Sequence, residues 1–262
     1  MKLSVVIPCY NEEIRLLTFK DEWLKFVFKF HEKIFSLFPS IELIFVNDGS
    51  KDQTLSILQS LSKDLASDKV SVKIESFEVN RGKGSVVRSG LLRSQGDWVL
   101  ITDVDLSSPL KELFKLQNSQ VDFAFGSRAL SDSQITRSQN GLRPQLGRVF
   151  NKFMRFMTGI PFLDTQCGFK LIRGDLAREI ATEMQENRFA FDVEMILLAH
   201  GRGASMKEIA VEWQHQEPSR VSPIKDGIRM AFKVIEFSKR FPHWDSVQPL
   251  SFQTPKPSRM PR

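Results

Sequence analysis

Cysteine is scarce in this sequence: Cys9 and Cys167 are the only two, and they lie far apart. That excludes a disulfide framework and a zinc-binding spacing, and it fits a reducing compartment. The four histidines, His31, His200, His215 and His243, form no cluster with metal-ligand spacing. No run of 18 or more apolar residues occurs, so no transmembrane helix is expected. The start, MKLSVVIPCYNEE, is a poor signal peptide, because its apolar stretch is short and acids follow at once. The expected location is therefore cytoplasmic, or peripheral on the cytoplasmic face of a membrane. There are no internal repeats, and the G-x-x-x-x-G-K spacing of a Walker A loop is absent.

What is present is a soluble globular composition, 41% hydrophobic and 26% charged over 262 residues. That length suits one α/β domain with embellishments. A net charge of +6 favours phosphate-bearing partners such as nucleotides, nucleic acid or anionic lipid headgroups, without choosing among them.

The first 130 residues alternate strand and helix signals. Strands are expected at 2–7 (stopped by Pro8), 41–46, 70–75, 98–102 and 121–125, with helices at 12–37, 51–66 and 82–93. In the first helix the apolar positions are Leu16, Leu17, Trp23, Leu24, Val27, Phe28, Ile34 and Phe35. Alternation at this spacing predicts a mostly parallel sheet flanked by helices, which binds ligands beyond the carboxyl ends of its strands. Residues 131–143 read as a loop and 207–214 as one strand. Residues 177–186, 191–200 and 223–241 read as helices. In 146–162 aromatics and methionines recur at helical spacing among cations, the pattern of a core helix or of one lying in a membrane interface. The expected organisation is a single catalytic domain over 1–241, with a nucleotide-binding half (1–130) and an acceptor half (131–241). Residues 242–262 are expected to be a disordered tail.

Polar punctuation falls at the strand ends. Asp103 and Asp105 follow an apolar strand, and alternation would point both carboxylates the same way. Mg²⁺ takes only one or two carboxylates and completes its shell with phosphates and water, so the pair suits a metal-bound diphosphate; a solvated turn before Pro109 is the plainer account. Asp48 can accept from a ribose or base, or simply make an Asx turn. Asn80 to Ser85, NRGKGS, is either a phosphate loop or a Gly-rich turn into a helix. Gly126-Ser127-Arg128 ends the fifth strand, and Arg137, Arg143 and Arg148 follow; arginine suits bidentate phosphate contacts. Asp164 to Lys170, DTQCGFK, reads on its own as a polar turn. Asp192 and Glu194 read as a helix cap and first-turn acid.

Taken in order, VVIPCYNE, VNDGS, DVD, GSR, DTQCGFK and FDVE resemble the inverting family 2 glycosyltransferases of GT-A fold. The closest likeness is to the dolichyl-phosphate β-glucosyltransferase and polyprenyl-phosphate glycosyltransferase branch, and it covers about residues 3 to 240. The resemblance implies a nucleotide-sugar donor, UDP-glucose in preference to GDP-mannose, a divalent Mg²⁺ or Mn²⁺, and a polyprenyl-phosphate acceptor at a membrane surface, with no nucleic acid partner. It implies that Pro8, Tyr10, Glu12, Asp48, Lys83 and Asp103 hold the nucleotide and that Asp103 and Asp105 hold the metal. Arg128, Arg143 and Arg220 meet the acceptor phosphate, and Asp105, Arg128 and Asp192 form the catalytic set. Ser107 stands where mannosyltransferase relatives often carry Gln. The alternatives are a same-fold glycosyltransferase with a soluble or protein acceptor, a nucleotidyltransferase, and a non-enzymatic nucleotide-sugar-binding protein.

Overall fold

Alternate residues of the first strand face opposite layers, and this sets the architecture. Val5 and Ile7 enter one apolar cluster while Val6 enters the other. The structure, a computed structural model, describes residues 1–137, 143–216 and 223–244. In chain order the elements are β1 (Lys2–Cys9), α1 (Glu13–Lys29), α2 (His31–Leu37), β2 (Ser40–Asn47), α3 (Thr54–Leu65), β3 (Val70–Ser76), α4 (Lys83–Arg93) and β4 (Trp98–Ile101). A 3-10 turn at Leu110–Glu112 leads into α5 (Leu113–Asn118), followed by β5 (Phe123–Ser127), β6 (Gln134–Arg137), α6 (Arg143–Thr158), β7 (Lys170–Arg173) and α7 (Gly174–Glu183). The chain continues through α8 (Phe191–Gly201), β8 (Met206–Ala210), β9 (Glu212–Gln214) and α9 (Pro223–Arg240).

Seven strands form one sheet in the order β3-β2-β1-β4-β7-β5-β8, and β6 pairs with β9 in a small ribbon. Every neighbour in the large sheet is parallel except β7, which runs against both β4 and β5. The carboxyl ends of the other six strands therefore share one rim, and β7 begins there. Because β7 lies between β4 and β5, the two expected halves of the chain share one sheet.

Helices α1, α2, α3 and α5 cover one face; α4, α6, α7, α8 and α9 cover the other. The buried stripe of α1 is Leu16, Phe19, Trp23 and Phe26, at i, i+3 and i+4 spacing. Leu17, Leu24 and Phe28 are exposed, and the expected single helix over 12–37 is two helices meeting at Phe30. Pro8 does not stop β1. It pairs with Val46, and it is tolerated because β4 leaves β1 after Val6, so no neighbour on that side needs its missing N–H. Expected loop 131–143 contains β6. The expected strand 207–214 is two strands in different sheets, which part at Val211. Helix α6 is a core helix on one side, where Met154 is buried, and leaves Phe156 exposed on the other.

Candidate active site

Two of the three non-glycine residues with positive φ among the described residues lie at the rim. Asn11 (φ 52°) and Leu106 (φ 47°) are non-glycine residues in the left-handed region, which costs of order 1 kcal/mol each and persists only where surrounding contacts enforce it. The contacts at Asn11 are visible. Its N–H donates to Ser50 Oγ at 2.9 Å, its Oδ1 accepts from the Lys51 N–H at 2.8 Å, and the Glu12 N–H donates to Thr54 Oγ1 at 2.7 Å. The Asp48 N–H donates to the Cys9 carbonyl at 2.8 Å. Pro8 thus lies near the end of β1, while Tyr10 and Glu12 on one side and Asp48 on the other lie in two loops that fasten to each other. The Glu12 carboxylate also lies 3.3 Å from the Arg15 guanidinium.

Asp48 is committed within the protein. Its carboxylate accepts from the Asn80 side chain (2.8 Å) and from the N–H groups of Arg81 (2.6 Å) and Gly82 (2.9 Å). Burial raises its pKa above the ordinary aspartate value despite these donors. The Ser85 N–H donates to the Asn187 carbonyl at 3.2 Å. The N–H groups of Arg81, Gly82 and Ser85, which a phosphate cradle would use, therefore meet protein acceptors. The glycines on either side of Lys83 have a packing reason. Gly82 has φ 99°, and a Cβ on it would strike the Asn187 carbonyl; one on Gly84 would strike the Glu186 carbonyl.

Lys83 points its ammonium at Asp103, with Nζ 2.6 Å from Oδ1. Burial lowers its pKa, but the charges of Asp103 and Asp192 outweigh that and leave it raised, so the cation is retained at neutral pH. The other oxygen of Asp103 lies against Gly168, where a Cβ would collide with it. Asp105 accepts from the Ser107 N–H at 2.9 Å. Its pKa is raised, first by burial and then by the charge of Asp103. The two carboxylates do not converge by strand alternation as expected, because β4 ends at Ile101. A turn closed by the Leu106 N–H on the Asp103 carbonyl at 3.2 Å instead keeps them near enough for the charge of Asp103 to act on Asp105. Among the described residues no three acidic, histidine or cysteine side chains form an all-protein metal cage. A repelling carboxylate pair on an open rim instead fits a hard divalent ion that takes its remaining ligands from phosphates and water.

Arg128 leaves the end of β5 and forms a two-pronged pair with Asp164, Nε to Oδ2 at 2.7 Å and Nη2 to Oδ1 at 2.8 Å; its own N–H adds a third bond at 2.9 Å. Burial raises the Asp164 pKa, but the guanidinium outweighs this and holds it below the ordinary value. The guanidinium also sits 5.5 Å from the Trp213 ring centre. Next along the chain, fully buried Lys170 lies 2.6 Å from Asp192 Oδ1 and donates to the Cys167 carbonyl. Burial raises the Asp192 pKa against the opposing charges of Lys170 and Lys83. Asp164 and Lys170, which on their own residues read as part of an ordinary turn, are paired with Arg128 and Asp192. They reach the rim because β7 is antiparallel and starts there.

Set side by side, Asp103, Asp105, Asp164 and Asp192 face Lys83, Arg128 and Lys170. The formal balance is one surplus negative charge, beside Asp103 and Asp105. Glu194 is not part of this array. It accepts from the N–H groups of Gln185 and Glu186 and from Arg240 at 2.5 Å, fastening α9 to the α7–α8 loop. Arg143 opens α6, with its side chain outside the described set, and Arg220 lies outside the described residues.

A profile of Glycosyl transferase family 2 matches residues 4–181. The dolichyl-phosphate beta-glucosyltransferase of Dictyostelium discoideum is 33% identical over 247 residues, covering 91% of this chain and 74% of that protein. The Homo sapiens protein of the same name is 32% identical over 249 residues, covering 92% and 76%. The fold is similar to that of glucosyl-3-phosphoglycerate synthase from Mycobacterium tuberculosis, solved with UDP, at TM-score 0.59 and 16% identity over 91% of this chain and 79% of that one. It is also similar to mannosyl-3-phosphoglycerate synthase from Rubrobacter xylanophilus, at TM-score 0.57 and 18% identity over 97% and 78%. With its GT-A type sheet and its charged rim, the chain belongs to glycosyl transferase family 2 and is a glycosyltransferase.

Proposed function

We propose that this chain transfers glucose from UDP-glucose to the phosphate of dolichyl or a similar polyprenyl phosphate, with inversion, while lying on a membrane surface. The observation that carries the reading is the Asp103–Asp105 pair with Lys83 at the strand-end rim. It occurs in a chain one-third identical, over nine-tenths of its length, to a protein named a dolichyl-phosphate beta-glucosyltransferase. Asp103 and Asp105 would hold Mg²⁺ or Mn²⁺, whose charge would offset that developing on the departing nucleotide diphosphate. Pro8, Tyr10 and Glu12 border the nucleoside, and Asp48 shapes its floor by fixing the 80–82 turn. Lys83 lends its ammonium to the donor diphosphate.

A lipid phosphate is already anionic at neutral pH, so its oxygen attacks the anomeric carbon without a strong base. The protein's part is positioning and electrostatic stabilisation. Arg128, set by Asp164, faces the incoming phosphate; Arg143 and Arg220 take the same role by family resemblance. Asp192, neutralised by Lys170, orders the charges around Lys83 and does not abstract a proton.

The membrane part rests on the outer faces of α6 and α9, which pack side by side. Val149 and Phe156 are 65% and 81% exposed, and Ile228 and Phe232 are 55% and 70% exposed. Lys152, Lys225 and Arg229 lie among them, a combination that suits an anionic lipid surface. No helix of the described residues is long and apolar enough to cross a membrane. The test is Asp105→Ala, which should abolish glucosyl transfer with the circular dichroism unchanged; wild-type turnover would remove the metal assignment. Flotation with anionic vesicles, weakened in a Phe156→Ser, Phe232→Ser double variant, checks the membrane face.

A further inference from the structure

A cavity of about 280 Å³ lies between the 186–190 loop and α9, outside the charged rim. Its apolar lining comes from Phe189, Ala190, Met230 and Phe232. Of its charged wall residues, Lys233 is held by Glu236 at 2.7 Å and lies 3.7 Å from Glu186, so that edge is self-neutralised. The six charged wall residues are three acids and three cations, so they balance formally, and the apolar patch between them suits a short stretch of hydrocarbon.

Its two ends are informative. At the inner end, Gln166 of the DTQCGFK segment reaches into the wall, with Nε2 3.5 Å from the Phe189 carbonyl and 3.7 Å from Met230 Sδ. The N–H of the same residue donates to Asp164 at 3.2 Å, and Asp164 holds Arg128. The loop forming this wall is the one that Gly82 and Gly84 pack against, on either side of Lys83. Arg188, also in the wall, is near enough to Asp48 for its charge to lower the Asp48 pKa. At the outer end, Phe232 belongs both to the cavity and to the exposed apolar face of α9. Contacts through the walls of this space thus link the outer apolar surface to Asp164, which holds Arg128, and to the glycines that flank Lys83.

We infer that this cavity receives the first isoprene units of the acceptor, the phosphate lying towards Arg128 and Lys83 and the rest of the chain leaving past Phe232. The inference rests on the lipid-phosphate reading above and adds the place where the lipid is recognised. The volume sits at the lower end of the range for ligand pockets, about 300–1,000 Å³, so it takes only the start of a long chain.

The test is calorimetric binding of a C10 prenyl phosphate beside a C5 prenyl phosphate, with UDP and Mn²⁺ present. The wild-type chain should bind the C10 compound at least about tenfold more tightly, since burying one further isoprene unit contributes a few kcal/mol at most, and a tenfold ratio corresponds to about 1.4 kcal/mol. Met230→Trp, which fills the cavity, should bring the ratio below about threefold. Phe232→Ser, at an exposed position where folding is not at issue, should also reduce it. Equal wild-type binding of the two compounds, or an unchanged ratio in both variants, would overturn the cavity assignment while leaving the lipid-phosphate reading standing. Binding of neither compound would overturn both.

Discussion

Lys83 Nζ lies 2.6 Å from Asp103 Oδ1, so one member of the carboxylate pair is already bonded to a cation supplied by the start of α4. Without that ammonium the array would carry two surplus negative charges, held only by whatever ion or ligand arrives. Lys83→Met should therefore lower kcat/KM by about 10²-fold, the typical loss for one preorganised electrostatic donor. Mn²⁺ affinity should stay level or rise, because a competing cation has gone. Steady-state kinetics with Mn²⁺ titration by electron paramagnetic resonance separates the two effects; a parallel loss of Mn²⁺ affinity would contradict this division of roles.

Gly168 owes its identity to Asp103. Gly168→Ala puts a methyl group against Oδ2 and should turn the carboxylate away from its present position. The expected result is a drop of about tenfold or more in Mn²⁺ and donor affinity, in the range seen when the support of a metal ligand is disturbed. The unfolding midpoint should move much less. Unchanged Mn²⁺ affinity would show that the carboxylate has room to adjust.

The Arg128–Asp164 pair tests how much of the rim is stability and how much is binding. Asp164→Ala leaves a largely buried guanidinium without its partner and should cost about 3–5 kcal/mol in urea unfolding. The Asp164 pKa is depressed, so the pair's contribution is present above the ordinary aspartate value of about 3.9 and is lost as the pH falls below it. Arg128→Lys keeps the charge but not the two-pronged geometry; it should retain most of the stability and raise the acceptor KM more than it lowers kcat.

Glu42 sits at the opposite end of the sheet, away from the rim. Fully buried, it accepts from Ser4 Oγ (2.5 Å), the Gln95 N–H (2.6 Å), Lys73 (2.8 Å) and Lys2 (3.0 Å). Burial opposes its charge, but these donors outweigh it and bring the pKa down to about 2. Set against an ordinary value of about 4.3, that amounts to on the order of 3 kcal/mol of stability, present above pH 4.3 and lost as the pH falls towards 2. Glu42→Gln should lower stability at pH 7 and flatten the acid limb of the stability curve, with little change in donor binding. An acid limb as steep as the wild type's would point to other carboxylates.

The parallel strands, the helices between them and the rim position of Asp48, Asp103 and Arg128 were legible because each followed an apolar run closed by polar residues. Strand β7 was not. Lys170–Arg173 is four residues long and mixes two cations with Leu171 and Ile172, so no periodicity separates it from a turn. Missing it hid the reason that Asp164 and Gly168 face Arg128 and Asp103. The tie of Asp48 to the 80–82 turn was equally hidden, because partners 32 to 34 residues away leave no local pattern. Lys170 read as the end of a polar turn and is fully buried; the paired Asp192, on another element, and the Cys167 carbonyl make that possible.

The most direct measurement is product formation from radiolabelled UDP-glucose and a polyprenyl phosphate with Mn²⁺, run beside GDP-mannose as donor and the corresponding polyprenol as acceptor. The account predicts a glucosyl phospholipid of β configuration from UDP-glucose and the phosphate, with no product from the alcohol, which lacks the anionic oxygen that attacks. Transfer to the alcohol, or transfer from GDP-mannose in preference to UDP-glucose, would contradict it.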